Sequence, residues 1–574
     1  MRGTLGAWAG TSALIAGLLG ACLAPRAGLA QNAEGDQAYQ NLVPLAGDSH
    51  QHAATFYMIA RAAKQPPVPG FPNGLHENSA PGDAFDVLRN GGYDWMSLSS
   101  HDTNHPGYLA NICVDTMSEK YQWWSKNMVP SGFPDATRPG QAVNPPANEA
   151  LALSRLATSK TVEGVGGFLA FTGREFTTMN FAPSGVGSRQ SGHKVVVIPG
   201  ETQGMCAPSG VLVGDEYCTD EAQMYLWALA QPDPRPVIIQ AHPGPASLVD
   251  FRPFHPKNAP GGLTDQLVQG IEIGSEFQDP QWEGAYDLAL SLGYKVFPAY
   301  GSDDHYATYP GVDRSPHVGA TVCWATSPTK RALVEAMQAR RCYFSTSWKP
   351  ELRFSARARG TATWLPMGSD ISASGGLVDL RIHVRNDPRN ANANPRLGNR
   401  FDSLDLVNDQ GAALATCGLG AKPPFGARAC SCTRSADGQD VCVLDADAVP
   451  LRFGAFYARV RMDSPDPAGC RSRTTPDLLP LCGVEVVSAP IFVNWPQQVA
   501  RSPYRQCLLD PSHLPCGTPG CLPAAVDHDQ DGWPDDCDVC PAVPDPGQAD
   551  SNLDGIGDAC GRDALPPPQV LGAG

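Results

Sequence analysis

The stretch Gly47-Asp48-Ser49-His50-Gln51-His52 is the part of the sequence from which both the fold and the chemistry can be argued. It follows a short apolar run at 42–45, which is typical of a strand. Residues two apart in a strand point to the same side, so His50 and His52 can offer two imidazoles to one metal ion. Imidazole nitrogen suits zinc, manganese and iron, and the ligand types do not choose among these three metals.

Other residues of metal-ligand type occur near later strand-like runs of the chain. All but one follow their run directly, whereas His193 is predicted to precede its strand. They are His101, Glu175, His193, His242, Asp303 and His305. Apolar runs that alternate with helical segments predict parallel strands with helical crossovers, in an α/β barrel or an open sheet. The carboxyl ends of barrel strands meet at one mouth, so these side chains are expected to converge.

Length and composition predict several domains and a substantial core. The chain has 574 residues, of which 42% are hydrophobic, which is too long for one ordinary domain. Its formal net charge of −16 argues against a nucleic-acid partner, although ten aspartates between Asp527 and Asp558 make the acidity local. From about 351 to 505, strand-like alternation such as that of 378–384 predicts a β-sandwich-like accessory domain.

The first thirty residues resemble an export signal. The apolar run from Ala7 to Leu19 follows an early positive charge and is too short to span a bilayer comfortably. Residues 19–22 resemble a bacterial lipobox in which Cys22 would carry a lipid, and cleavage after Ala30 is the alternative. The sequence therefore predicts an exported protein that is periplasmic, a cell-surface lipoprotein or secreted. Any membrane attachment would run through a lipidated Cys22.

The eighteen cysteines fit an oxidising compartment. Cys206 with Cys218 and Cys323 with Cys342 are candidate disulfides, although spacing alone does not fix the pairing. No arrangement of two CxxC motifs has zinc-ribbon spacing, so we interpret the cysteines as structural.

The ordered series of ligand motifs resembles the polymerase-and-histidinol-phosphatase (PHP) family of metal-dependent phosphoesterases. The resemblance covers roughly residues 45–350. It rests on His50 and His52 in HxH, His101 in Ser-His, Glu175 in Gly-Arg-Glu, His193, His242 in Ala-His-Pro-Gly, and Asp303 with His305 in Gly-Ser-Asp-Asp-His. Ser100 stands where the family usually has an aspartate before the histidine. The resemblance implies a distorted (β/α)7 barrel over residues 31–350, with two or three divalent metal ions.

The resemblance also implies roles for single side chains. One metal would be held by His50, His52, Glu175 and Asp303. A second would be held by Glu175, His101, His193 and His242. A third would lie near His101 and His305. The catalytic candidates are Glu175, Asp303 and Asp102, and Asp48 and Asp102 are expected to orient histidines. Such ions activate water and neutralise phosphate oxygens, which implies a hydrolase of small-molecule or polymeric phosphoesters.

Four charged residues near these ligands have two interpretations each. Arg174 and Lys194 would contact phosphate or serve as surface charge, and surface charge is the more frequent role of such residues. Glu272 and Glu276 would line the pocket, or lie in the core or in solvent, and the second role is expected.

The segment 515–562 carries two copies of D-x-[DN]-x-D-G, the front half of a calcium loop. Its candidate Ca²⁺ ligands are Asp527, Asp529, Asp531, Asp535, Asp538, Asp550, Asn552, Asp554 and Asp558. The segment resembles a thrombospondin type 3 repeat, which implies calcium-stiffened structure and a disulfide between Cys540 and Cys560. Residues 563–574 are expected to form a flexible tail.

Two alternative functions stay open at this point. One is an amidohydrolase-like enzyme that cleaves C–N or C–O bonds, because such barrels also begin with HxH. The motifs around His242 and Asp303, and a bridging glutamate in place of a bridging lysine, favour the phosphoesterase. The other alternative is a non-catalytic calcium-binding surface protein with a vestigial barrel.

Overall fold

The fold is mixed α/β and consists mostly of strands. The computed structural model describes residues 35–52, 81–101, 145–180, 189–200, 227–243, 267–274, 285–287, 289–290, 294–304, 319–346, 350–386, 401–409, 411–434, 440–451, 454–462 and 484–494. The mixed class predicted from the alternating pattern is confirmed, and the strands divide between one large curled sheet and a smaller second sheet.

The elements, in chain order, fall before and after residue 350. The earlier strands are β1 (Val43–Gln51), β2 (Trp95–His101), β3 (Leu169–Asn180), β4 (Arg189–Ile198), β5 (Val237–Ala241), β6 (Val268–Gly274), β7 (Phe297–Tyr300), β8 (Ala320–Ala325) and β9 (Cys342–Ser345). The helices are a short 3₁₀ helix (Gly35–Tyr39), α1 (Pro81–Asn90), α2 (Pro145–Lys160) and α3 (Lys330–Gln338). The later strands are β10 (Glu351–Ala358), β11 (Leu365–Pro366), β12 (Asp370–Ile371), β13 (Leu377–Arg385), β14 (Phe401–Asn408), β15 (Ala413–Gly418), β16 (Ala427–Arg434), β17 (Asp440–Pro450), β18 (Gly454–Met462), β19 (Val484–Ser488) and β20 (Ile491–Val493).

The large sheet is not uniformly parallel, in contrast to the prediction. Strands β1, β2 and β3 are parallel, as are β5, β6 and β7, but β4 runs antiparallel to both β3 and β5. Only residues 181–188 connect β3 to β4, and a parallel crossover needs a dozen residues or more. The connection therefore forces β4 to turn back beside β3.

The large sheet curls until the carboxyl end of β7 reaches that of β1. The amide of Asp303 donates to the carbonyl of His50 at 2.8 Å, and the amide of His52 donates to the carbonyl of Asp304 at 3.0 Å. Asp303 and Asp304 are thus hydrogen-bonded through the backbone to the HxH motif, from which they are distant in sequence. The curl is what places several strand ends at one position.

Gly47 allows β1 to lie against β2. It pairs with Trp95, and a Cβ at Gly47 would come within 2.3 Å of the Trp95 ring and of its carbonyl oxygen. The fully buried Trp95 fills that space and packs edge-on against Phe171. Gly47 therefore allows the close pairing of β1 with β2, and this pairing places His50 near the end of β1.

The strands after residue 350 belong to both sheets. The second sheet has the order β11-β10-β13-β17-β16, whereas β12, β14, β15, β18, β19 and β20 extend the large sheet. The connection runs through β9 and β19, with Phe344 opposite Val487. The strand predicted at 378–384 is present as part of β13. The region expected to form a β-sandwich of its own is thus continuous by hydrogen bonding with the sheet of the metal-ligand residues.

Disulfides and helix ends follow their sequence signals where the structure describes them. Cys323 and Cys342 are bonded across β8 and β9, as predicted, and the other disulfides of the described ranges are Cys417–Cys430 and Cys432–Cys442. Thr329 caps α3, since its side chain accepts from the amide of Ala332. Residues 285–287 and 289–290 are helical. Cys206 and Cys218 lie outside the described ranges. None of the described helices combines the length and apolar character needed to cross a bilayer.

Candidate metal centre

A first group of four candidate ligand side chains meets near the ends of β1 and β7, beside the middle of β3. The Nε2 atoms of His50 and His52 are 3.0 Å apart. Oε2 of Glu175 lies 3.5 Å from the first of these nitrogens and 3.3 Å from the second. Oδ1 of Asp303 lies 3.5 Å and 2.8 Å from the same two atoms. Two nitrogens and two oxygens therefore face one point.

A second group shares Glu175 with the first. Oε1 of Glu175, the other carboxylate oxygen, contacts Nδ1 of His193 and lies 2.9 Å from Nε2 of His242. Glu175 is fully buried, and the two histidines are partly exposed, with 17% and 24% of their side-chain surface accessible. One carboxylate thus directs an oxygen to each of two histidine groups.

The spacing of these atoms fits metal coordination. Ligand atoms held at about 2.0–2.2 Å from one ion lie roughly 2.9–3.5 Å from one another in tetrahedral or octahedral geometry. The distances in the first group range from 2.8 to 3.5 Å. The donor set of imidazole nitrogens and carboxylate oxygens also suits Zn, Mn or Fe. The first group therefore fits a divalent ion by spacing and by donor type, and the second group fits one by donor type.

Glu272 on β6 contacts both groups without belonging to either. Its Oε1 lies 3.0 Å from Nδ1 of His50, and its Oε2 accepts from the backbone amide of His242 at 2.8 Å. Glu272 is fully buried. The sequence-based expectation of a core or solvent role missed this contact. A charged residue between Ile271 and Ile273 of a buried strand is the signal that marks it.

Asp48 connects the HxH motif to the loop after β7 through backbone contacts. Its Oδ1 accepts from the amide of His50 at 2.9 Å and from the amide of Ser302 at 3.1 Å. The Ser302 hydroxyl in turn donates to the carbonyl of His50 at 3.1 Å. Asp48 was predicted to orient a histidine, and these contacts hold the backbone of one ligand.

Buried carboxylates dominate the electrostatics of the centre. Burial lowers the pKa of His50, but Glu272, Asp303 and Glu175 outweigh it and hold that pKa well above its usual value. Burial also lowers the pKa of His242, and the hydrogen bond and charge of Glu175 more than offset this effect. Buried carboxylates need compensating positive charge, which either protons on the histidines or metal ions supply.

Two ligands have left-handed backbone conformations. The φ angle is 21° at His242 and 54° at Asp303. Residues other than glycine adopt this region infrequently, and such positions concentrate at functional sites. In both cases the turn follows the end of a strand, and the amide of the ligand residue is hydrogen-bonded inside the centre.

The strand positions of several ligands differ from the sequence-based expectation. Glu175 lies within β3 and not after it, and His193 lies inside β4, opposite Thr177 and Ala241. Arg174 and Lys194 are buried, which contradicts their reading as surface charge. Successive side chains of a strand point to opposite faces, so Arg174 and Lys194 lie on the face opposite to Glu175 and His193. The alternative phosphate contact of Arg174 and Lys194 therefore lacks support.

The remaining predicted site residues fall outside what the structure describes. His101 is the last residue of β2 and pairs with Glu175 in the register, but its side chain is not among those described. Asp102, His305, Glu276 and Cys22 lie in undescribed ranges, as does the whole predicted calcium segment. The third metal position and the calcium ligands therefore stay predictions.

Comparisons with known proteins add little to this geometry. No family model and no curated protein matches the chain. A solved structure from Bacteroides vulgatus, described as a two-domain protein containing a predicted PHP-like metal-dependent phosphoesterase, matches with 14% identity and a TM-score of 0.32. The match covers 73% of this chain and 91% of that one. A likeness this low carries no argument about what this chain does.

Proposed function

We propose that this chain is a metal-dependent hydrolase of phosphoester bonds whose two described ligand groups each hold one divalent ion, Zn, Mn or Fe. A third ion near His101 and His305 stays a prediction from the sequence. The observation that carries the proposal is Glu175, whose two oxygens each lie at ligand distance from different histidines. A carboxylate that bridges two ligand groups is the arrangement expected of a dinuclear hydrolytic centre.

The order of the ligands along the chain supports the phosphoester class. The HxH pair, a strand-borne glutamate, a histidine before Pro-Gly and the Gly-Ser-Asp segment occur in the sequence of the PHP pattern. The structure brings the described members of this series into contact, although they are separated by up to 253 residues. His50 and Asp303, which frame the series, are linked through the backbone.

Each side chain has a distinct task in the proposed reaction. Divalent ions supply Lewis acidity, which makes water nucleophilic near neutral pH and offsets the negative charge of a phosphoester. The histidines hold such ions without adding negative charge that would repel the substrate. Asp303 is 20% exposed, the most accessible ligand of the first group, and we assign it the proton released by the attacking water. Asp102 stays a predicted catalytic candidate that would orient a histidine.

We further propose that the curled sheet is a distorted barrel of the (β/α)7 type. The backbone contacts between the end of β1 and residues 303–304 support closure of the sheet at that point. The β-sandwich-like character proposed for the later region rests on its second, five-stranded sheet.

The proposed setting is outside the cytoplasm, in the periplasm, on the cell surface or in the medium. Three disulfides in the described ranges support an oxidising compartment. A lipid on Cys22 and Ca²⁺ in segment 515–562 belong to the same proposal, and they rest on sequence motifs alone. The proposed substrates are small-molecule or polymeric phosphoesters, and nucleic acid is not expected as a partner.

Metal analysis and turnover test the function together. The purified protein should contain about two equivalents of Zn, Mn or Fe and should hydrolyse bis(p-nitrophenyl) phosphate or p-nitrophenyl phosphate. His50→Ala and Asp303→Ala should each lower turnover by at least ~100-fold, because both remove a ligand.

The matched control for these variants is His383→Ala. His383 is a buried histidine of the second sheet, hydrogen-bonded to Asp445, and belongs to neither ligand group. It should retain metal and turnover, provided that its circular dichroism matches the wild type. If the protein hydrolyses amides or lactones and does not hydrolyse phosphoesters, the amidohydrolase-like hypothesis is correct.

A further inference from the structure

We infer that Glu272 is a positioning residue that couples the two ligand groups, so that its carboxylate sets the metal affinity of both. The inference rests on the metal-centre part of the proposed function and is independent of the substrate. Glu272 comes from β6, the one strand between β5 and β7, and β6 contributes no ligand to the two described groups.

The contact with His50 fixes which nitrogen is available to a metal. Oε1 of Glu272 lies 3.0 Å from Nδ1, and a carboxylate in contact with a neutral imidazole accepts a hydrogen bond. The proton therefore stays on Nδ1. The lone pair is left on Nε2, the atom that faces His52, Glu175 and Asp303. A carboxylate partner on the far nitrogen also increases the basicity of the ligating one.

The contact with His242 fixes a strained backbone position. Oε2 of Glu272 accepts from the amide of His242 at 2.8 Å, and His242 has a φ angle of 21°. That amide anchors the turn from which the imidazole reaches Oε1 of Glu175. One carboxylate therefore holds the ring of a first-group ligand and the backbone of a second-group ligand.

Glu272 lies behind the His50 ring with respect to the metal position. It contacts Nδ1, whereas the ligands contact Nε2, on the opposite edge of the imidazole. The chain leaves space for this arrangement at Gly301, where a Cβ would come within 2.3 Å of Oε1 of Glu272 and 2.6 Å of the His50 Cβ. Glu272 is thus packed as a support for ligands.

Both acceptor oxygens are needed, so glutamine is an informative replacement. Two N–H groups, one from His50 and one from His242, point at the two oxygens of Glu272. Glutamine offers one acceptor oxygen, and its NH₂ group would face the other N–H donor. Glu272→Gln should therefore keep the shape and lose one contact, whereas Glu272→Ala should lose both.

The test measures metal binding without substrate. The wild type, Glu272→Ala, Glu272→Gln and the control Glu351→Gln are stripped of metal and titrated with Zn²⁺ and Mn²⁺ against a chromophoric chelator. Glu351 pairs with Arg353 on β10, in the second sheet. Melting curves in chelator establish that each variant is folded.

We expect Glu272→Ala to bind about two equivalents, as the wild type does, with both affinities weakened by about 10–100-fold. Glu272→Gln should be weakened less, and Glu351→Gln should match the wild type. Unchanged affinities in both Glu272 variants, or a loss confined to one site in Glu272→Ala, would overturn the coupling. A lost equivalent would make Glu272 a ligand and overturn the positioning role. A wild type that binds metal but leaves phosphoesters intact refutes only the proposed function.

Discussion

A centre with two ions would depend on the carboxylate of Glu175. Its oxygens face two separate histidine groups, and the side chain is fully buried, so it has no freedom to turn towards solvent. Its position within β3 fixes it further, because β2 and β4 pair with β3 on either side at this residue. A bridging carboxylate held on a central strand is more rigid than one on a loop.

Ligand deletions should therefore differ in metal stoichiometry. Glu175→Ala removes a ligand from both groups, and we expect it to reduce bound transition metal from about two equivalents to below one. His193→Ala removes a ligand from the second group alone and should leave about one equivalent. Elemental analysis after dialysis measures both numbers. Equal losses in the two variants would contradict the bridging role.

The loop after β7 acts at the scale of an element, because it delivers Asp303 to the end of β1. Gly301 begins this loop, and its missing side chain leaves room for Glu272 and His50. We expect Gly301→Ala to lower the free energy of unfolding by about 1–3 kcal/mol and to weaken metal binding, since the new methyl group displaces both neighbours.

Gly375→Ala is the matched control for that substitution. A Cβ at Gly375 would meet no heavy atom within 4 Å, so urea denaturation should show a small change in stability and none in metal affinity. Equal effects of the two glycine substitutions would argue against a crowded position at Gly301.

The second sheet has its own partly buried ion pairs, centred on the buried carboxylate of Asp379 on β13. Arg357 and Arg359 donate to this carboxylate at 2.9 and 2.8 Å, and the amide of Ala448 donates at 2.9 Å. Burial raises the pKa of Asp379, but these three donors outweigh it and leave the pKa below its usual value of 3.8. The carboxylate is only 1% exposed.

A lowered carboxyl pKa stabilises the folded state above the unfolded-state pKa, and this stability is lost as pH falls through the folded value. Asp379→Asn should therefore lower the free energy of unfolding by roughly 1.5–3 kcal/mol at pH 7. The difference in unfolding free energy between this variant and the wild type should become smaller below pH ~4. Urea denaturation across pH measures this. The control is Asp370→Asn, because Asp370 forms an exposed ion pair with Lys295. It should lower the free energy of unfolding by less than ~1 kcal/mol at every pH. If the Asp379→Asn variant and the wild type differ as much at low pH as at pH 7, the lowered pKa of Asp379 is wrong.

At the scale of the whole molecule, the centre joins strands that the chain visits far apart. The candidate ligands come from β1, β3, β4, the end of β5 and the loop after β7, so ions bound there would hold together the two ends of the curled sheet. Any ligand that binds only the folded state stabilises it by mass action, by ~2.7 kcal/mol per site at 100 times the dissociation constant.

Removal of metal should accordingly lower the melting temperature by about 2–4 °C per site. Zn²⁺ or Mn²⁺ should restore it in the wild type and not in His50→Ala. Ca²⁺ alone should leave that difference unchanged, because the donor set is rich in nitrogen and Ca²⁺ prefers oxygen. Differential scanning calorimetry measures the shifts, and full restoration by Ca²⁺ would contradict a transition-metal centre.

Much of the centre could be predicted from local signals. The HxH pair, Glu175, His242 and Asp303 lie at or near apolar strand runs, and strand geometry directs such residues to one end of a sheet. The mixed α/β class and the bond between Cys323 and Cys342 followed from similar patterns. These features depend on short-range periodicity and spacing, which one sequence carries.

What escaped prediction depends on contacts between distant residues. The direction of β4 follows from its short connection to β3, and the polar segment 189–194 gives no apolar signal for a strand. The role of Glu272 requires His50 and His242 beside it, separated from it by 222 and 30 residues. The pairing of β9 with β19 likewise joins residues far apart in the chain.

The pairing of β9 with β19 has a consequence for how the chain can be divided. A fragment that ends at residue 350 would retain the residues of both ligand groups and lose the partner of Tyr343, Phe344 and Ser345. Those backbone groups would form an open edge in an otherwise intact sheet, and such edges recruit strands from other molecules. The later region thus covers an edge of the sheet that carries both ligand groups. We expect a fragment without it to self-associate.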